Sequence, residues 1–399
     1  MTQVRQRRIC VFTGSRADYG PFSALIRRLN ADHEIEVRIL VSGGHLVPEQ
    51  GMTVHEIEGD NFTIDERIDM VLASDTPVAV AKSFGLACIG YADALERISP
   101  DLLLIAGDRY EAFAAAAAAL LRLLPVAHIA GGQLTHGSID DQIRHAISKL
   151  SHLHLTFTGE DRQRLIHMGE HPRRVHHIGT INIDPNVLRT LKDPVSLETI
   201  LGITLHKPLF VITFHPATAN PHESWHSARC LLDALKCFPE STQIITAPNV
   251  DHGSQWIHEA LREYVEHRPN AIALLPSLGQ AKYLSLVRHA DLVIGNSSSG
   301  VMEAPLLHTP TVNVGDRQDG RPHPPSVIDC EASTHDIVAA IHEGLRVPES
   351  AFASTPTDQH IEHALNYAVE ILRSTNLEEL IPKKYFDTAV DILPTGAVL

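Results

Sequence analysis

Apolar residues in this chain fall mostly in short unbroken runs rather than in alternation, and glycine or small polar residues close most of the runs. Runs at 8–13, 36–42, 101–106, 125–129, 152–158 and 175–179 read as strands buried on both faces. Between them, 21–29, 78–98, 112–124 and 140–151 carry helical spacing. Pro77, just ahead of the second of these, is a helix-start signal. Strand, glycine-bearing loop and helix in repeated order predict a parallel, doubly wound sheet. The pattern loosens over 184–205, which reads as a linker, and then the alternation restarts. Strands are expected at 208–214, 243–246, 271–275, 292–294 and 311–314, and helices at 224–237, 254–266, 280–290 and 361–373.

The predicted class is α/β, two Rossmann-like doubly wound domains with a ligand cleft between them. The expected divisions are 1–185 for a sugar-side domain and 186–375 for a nucleotide and diphosphate domain. Residues 376–399 are expected as a tail that packs back on the first domain. A length of 399 residues suits two cores better than one.

Charge and composition narrow the partners. A formal net charge of −15 argues against nucleic acid as a partner. The 26 histidines are scattered without metal-ligand spacing, so no metal is expected. Five cysteines without a C-x-x-C pair suit a reduced, cytoplasmic protein. No run of 18 apolar residues occurs, so no membrane partner is expected.

The densest candidate chemistry follows the run Leu292-Val293-Ile294. It breaks into Gly295-Asn296-Ser297-Ser298-Ser299-Gly300 and then reads as a helix start through Glu303. Small residues at such a junction let backbone N–H groups approach a phosphate. With three hydroxyls, and with Arg317 and Arg321 after the next strand, the stretch reads as a diphosphate site. Other loops at the carboxyl ends of strands add Arg16 with Ala17, Asp108 with Arg109, and His215. Asp140 and Arg144, four apart on one predicted helix, share a face.

Five motifs then occur in one order. They are residues 14–20 (GSRADYG), 107–111 (GDRYE), 139–149 (IDDQIRHAISK), 295–300 (GNSSSG) and 315–318 (GDRQ). On these, over about residues 8–375, the chain resembles the hydrolysing UDP-N-acetylglucosamine 2-epimerases, in particular their sialic- and legionaminic-acid branch. The resemblance implies a GT-B-like fold, a nucleotide-sugar substrate, no redox cofactor, no metal and a homo-oligomer. It implies loss of UDP from the anomeric carbon, loss of the C2 proton to give a glycal, and addition of water with C2 inverted. Asp108, Asp140, Arg144 and His215 would then be catalytic, with His215 a cationic donor near the leaving group. Arg16, Ala17, Arg109 and Gln133 would serve the sugar side. Asn296, Ser297, Ser298, Ser299, Arg317 and Arg321 would hold the diphosphate, and Glu303 the ribose. Asn249, Asp251 and Leu275 would line the base pocket.

One loop departs from the family. Where its members usually carry one or two carboxylates, this chain has Ala130 and Gln133. Neither side chain can act as a base. The loop leaves alternatives open: cleavage or transfer of a glycosyl group, for example to a nucleobase, without epimerisation, or UDP-sugar binding without turnover.

Overall fold

The structure is a computed structural model that describes residues 5–387, apart from 75, 217–220, 249–253, 267–270 and 276–277. The apolar runs form two all-parallel sheets among the described residues. The first contains β1 (Arg7–Thr13), β2 (Ile35–Ser42), β3 (Glu66–Ile68), β4 (Leu102–Ala106), β5 (Val126–Ile129), β6 (Leu153–Thr156) and β7 (Val175–His177). Their order across the sheet is β3-β2-β1-β4-β5-β6-β7. The second contains β8 (Leu209–Thr213), β9 (Thr242–Thr246), β10 (Ile272–Leu275), β11 (Leu292–Gly295), β12 (Thr311–Val314) and β13 (Val327–Cys330). Here the order is β10-β9-β8-β11-β12-β13. Every residue of β4, β8 and β9 is buried, as unbroken apolar runs require in a sheet covered on both faces.

The helix Pro77–Ile98 starts where its proline signal puts it, and Thr76 caps it by accepting the Ala79 N–H at 3.3 Å. By length and composition it could cross a membrane, but Ala87, Tyr91 and Leu95 are buried in the first lobe's core. The alanines of Tyr110–Leu121 let that helix lie close against it, with Ala114, Ala115, Ala118 and Ala119 nearly inaccessible.

The stretch read as a loose linker is more ordered than its pattern suggested. It holds two helices, Pro185–Arg189 and Pro194–Leu201. Asp184 caps the first through the Asn186 N–H at 2.8 Å, and Asp193 the second through the Ser196 N–H at 3.0 Å. Each Asp-Pro pair is therefore a helix start, with proline where its missing N–H costs nothing.

After the second sheet the chain returns to the first lobe. Helix Asp358–Ser374 packs Ile361, Leu365 and Leu372 into the core beside helix Arg16–Ala31. Lys383 beyond it donates to the carbonyls of Lys149 and Ser151 at 2.8 and 2.6 Å. It also pairs with the buried Glu170 at 2.7 Å. The tail thus caps the end of helix Asp140–Leu150, whose opposite end faces the cleft.

Candidate active site

Strand order reverses between β1 and β4 in the first sheet and between β8 and β11 in the second. Such switch points leave a crevice at the strands' carboxyl ends. Both crevices open on one cleft. From the first lobe, Arg16 and Ala17 enter it after β1, Asp108 and Arg109 after β4, and Asp140 and Arg144 from helix Asp140–Leu150. From the second, His215 enters after β8, Ser297, Ser298, Ser299 and Glu303 after β11, and Arg317 and Arg321 after β12. Five arginines and four carboxylates line it, so the cleft reverses the sign of the strongly acidic chain.

Arg144 organises the first lobe's share. It is 2 % exposed, yet its guanidinium ion-pairs with Asp108 and lies 3.4 Å from Asp141. It also donates to Gln133 O at 2.9 Å and Thr135 Oγ1 at 3.0 Å. Burial alone would push the Asp108 carboxyl up. Arg144, Arg321 and Arg109 outweigh it and hold the group below the usual carboxylate range, ionised at neutral pH. His128 ties the same loop to the helix, bonding Gly107 O at 3.0 Å and Ser148 Oγ at 3.1 Å. Burial takes its pKa down to about 3, so it is a neutral tether, as expected of a structural histidine.

The loop that lost its carboxylates is tightly built. Ala130 sits at φ +61°, a conformation that normally favours glycine. A Cβ on Gly132 would lie 2.5 Å from Asp161 O. Gln133 borders an extension of the cleft beside Ala130.

In the second lobe, Gly295 is forced by space, since a Cβ there would lie 2.0 Å from Thr213 O. The helix after it, Ser298–Met302, has only five residues, so the macrodipole can add little. The positive charge on this side of the cleft comes instead from Arg317 and Arg321. The Nε of each is buried without a hydrogen-bond partner among the described residues. Buried donors left unpaired are costly, and anionic oxygens would satisfy them.

Asn296 takes a different place from the expected one. Its side chain accepts the His215 N–H at 2.7 Å and donates to His215 O at 2.8 Å. It therefore clamps β8's exit loop and does not line the cleft. The expected charge on His215 is also corrected. Burial, then Arg317, Arg16 and Arg109, hold its pKa well below the imidazole range and so favour the neutral ring.

Leu275 packs with the cluster around Leu284 rather than on the cleft, while Asn249 and Asp251 lie outside the described residues. The cleft's wall there is made by Thr246, Leu278, Gly279 and Gln280. Gln280, Tyr283, Glu56 and Thr213 border the site without having been picked out from the sequence. Gln280 also bridges the lobes, donating to Gly20 O at 2.6 Å. Among the described residues, no group of three or more His, Cys, Asp or Glu side chains is placed to hold a metal ion.

Comparison with known proteins decides the family. The model of the family described as UDP-N-acetylglucosamine 2-epimerase matches residues 27–367. The chain belongs to this family. A relative from Campylobacter jejuni, named GDP/UDP-N,N'-diacetylbacillosamine 2-epimerase (hydrolyzing), is 38 % identical over 96 % of this chain and 99 % of its own. One from Legionella pneumophila, a UDP-N,N'-diacetylbacillosamine 2-epimerase (hydrolyzing), is 33 % identical over 87 % of this chain and 91 % of its own. The solved UDP-GlcNAc 2-epimerase of Neisseria meningitidis, bound to UDP-GlcNAc, superposes with a TM-score of 0.77 at 19 % identity, covering 93 % of this chain and all of that one. The 2-epimerase architecture, two parallel-sheet α/β lobes of GT-B type, is thus the fold of this chain.

Proposed function

We propose that the chain is a hydrolysing 2-epimerase that converts a UDP-linked 2-acetamido hexose and water to UDP and the free 2-epimeric sugar. The observation that carries this is the meeting of two sets of groups at paired switch points. Ionised Asp108, with Asp140, lies on one side, and Arg317, Arg321 and the serine loop lie on the other. The second set grips the diphosphate, while Glu303 and Tyr283 face the ribose. As the anomeric C–O bond breaks, both electrons leave with UDP, and the arginines stabilise that charge. An arriving diphosphate also offsets the cations around His215, so the ring can take up a proton and pass it to the leaving oxygen. Asp108 or Asp140 removes the C2 proton, giving the glycal. Water then adds its oxygen to C1, and a proton returns to C2 from the opposite face. The comparisons favour this reading over glycosyl transfer without epimerisation. The relatives' names bring two donors to this chain as candidates, UDP-GlcNAc and UDP-N,N'-diacetylbacillosamine.

The test is incubation with each donor in D₂O, following UDP release and C2 labelling by NMR. Free UDP together with a deuterated 2-epimer is the expected result. UDP release with no deuterium at C2 would sink the epimerase assignment.

A homo-oligomer belongs to the same proposal. Helix Pro77–Ile98 leaves Val78 and Ile89 65 % and 68 % exposed, and Leu121 and Leu123, at the end of the next helix, are exposed as well. We expect light scattering to give a multiple of the 43.8 kDa chain mass and Ile89→Asp to shift it toward monomer. A wild-type monomer at micromolar concentration would refute the assembly.

A further inference from the structure

The proposed chemistry leaves one buried ionic cluster unused. Glu170, 1 % exposed, faces Lys149 at 2.6 Å, Lys383 at 2.7 Å and His154 at 3.0 Å. Burial pushes the His154 imidazole down, toward its neutral form. Two ammonium groups therefore meet one carboxylate, and one positive charge is left over. A surplus charge withdrawn from water needs a second counterpart.

That counterpart is a helix end. Lys383 donates to Lys149 O and Ser151 O at 2.8 and 2.6 Å, and its Nζ is 3.4 Å from Ser148 O. The last carbonyls of a helix lack intrahelical donors and carry its negative partial charge. Burial lowers the Lys383 pKa to about 8 against the pull of Glu170, so the ammonium persists at neutral pH. Anchors on both sides keep Lys383 in register with the helix. Before it, Arg174 donates to Leu380 O at 3.1 Å. After it, the Tyr385 ring lies so near Gly169 that a Cβ there would be 2.2 Å from it. The Phe386 N–H donates to Gly169 O at 2.9 Å.

The opposite end of the same helix is in the cleft, where Asp140 and Arg144 line the wall. From Asp140 to Lys149 the axis spans about 14 Å at 1.5 Å per residue. Ile147, buried between the two ends, holds the helix against the core but leaves it free to slide or turn by small amounts. Directional bonds at the carbonyl end remove that freedom. A small displacement of a catalytic group costs rate steeply.

We propose that Lys383 is a positioning residue: it holds the carbonyl end of helix Asp140–Leu150 and thereby sets Asp140 and Arg144 against the sugar. The proposal rests on the 2-epimerase reading above and adds to that site a residue that does not line the cleft.

Lys383→Met removes the charge and the donors but keeps the stem, whereas Lys383→Arg keeps charge and donors. Both are assayed at saturating donor and at a temperature where circular dichroism shows them folded. Lys383→Met is expected to lower kcat about tenfold, with KM and UDP affinity within about twofold of wild type. Lys383→Arg should keep about half of the wild-type kcat or more. Without substrate, hydrogen exchange over 139–149 should quicken about threefold in Lys383→Met and stay near wild type in Lys383→Arg. Should Lys383→Met not fold, Lys383→Gln, which keeps one donor group, replaces it with about a threefold loss of kcat expected. A kcat near wild type in the uncharged variant overturns the proposal, and so does an equal fall in Lys383→Arg. Wild type without turnover on UDP-GlcNAc or UDP-N,N'-diacetylbacillosamine overturns the reaction instead. The exchange arm then judges the helix contact alone, and unchanged exchange overturns it.

Discussion

Asp108→Asn is expected to lower kcat by about 10² to 10⁴, the usual contribution of a positioned base, while UDP binds as tightly as before or better. The loop that would otherwise supply carboxylates has Ala130 and Gln133, so the proposed mechanism gives proton transfer at C2 to Asp108 and Asp140. Asparagine keeps the shape of Asp108 but cannot hold the proton, and it carries no charge for the Arg144 ion pair. The nucleotide side should be spared, because Ser297, Ser298, Ser299 and Arg317 belong to the other lobe. Arg321 loses a neighbouring carboxylate, which leaves more of its charge for the diphosphate. Stability will change as well. Arg144 is buried and would keep only Asp141, Thr135 and the Gln133 carbonyl, so a loss of about 1–3 kcal/mol is expected in urea unfolding. Turnover is therefore compared at saturating substrate and at a temperature where both proteins are folded. A kcat within fivefold of wild type would show that Asp108 is not the base and pass the role to Asp140.

The sequence was most readable where one local signal decided the outcome. Unbroken apolar runs located the strands of both sheets except the edge strands β3 and β13, whose short stretches mix in charged residues, and Pro77 located its helix within a residue. The helices within 184–205 escaped notice because Asp193-Pro194 can both end one element and cap the next, and only packing tells which. Site residues behaved the same way. Charged groups directly after strands, Arg16, Asp108 and Arg317 among them, all reached the cleft, because strand ends in a parallel sheet converge there. Asn296 sits within the right motif, but its partner is the His215 backbone, far away in sequence. Gln280 and Tyr283 gave no signal at all. A polar residue on a helix or in a bend looks like solvated surface until the fold shows what it faces.

Glu303→Gln should make the free protein more stable at pH 8 while weakening its hold on UDP. The Glu303 carboxyl lies on the cleft wall, where burial raises its pKa to about 7 and the nearby Ser299 hydroxyl only partly opposes the shift. A carboxyl raised above its unfolded value contributes no penalty in acid. The penalty grows as pH rises from the unfolded pKa toward about 7 and is complete above it. Glutamine carries no charge to desolvate. The variant should therefore match wild type near pH 4 and exceed it at pH 8 by about 2 kcal/mol, since water in the open cleft reduces the full value of the shift. Asp18, also raised to about 7, keeps part of the slope in both proteins, so the difference between them is the quantity to measure. Binding should move the other way. An ionised Glu303 accepts ribose hydroxyls with charge assistance, and an amide oxygen does so more weakly, so UDP affinity at pH 8 should fall about tenfold. Denaturant unfolding at both pH values, with UDP titrations beside it, reads both effects. A variant less stable than wild type at pH 8 would mean that a buried partner, not the ligand, holds Glu303. Unchanged UDP affinity would place the ribose elsewhere in the cleft.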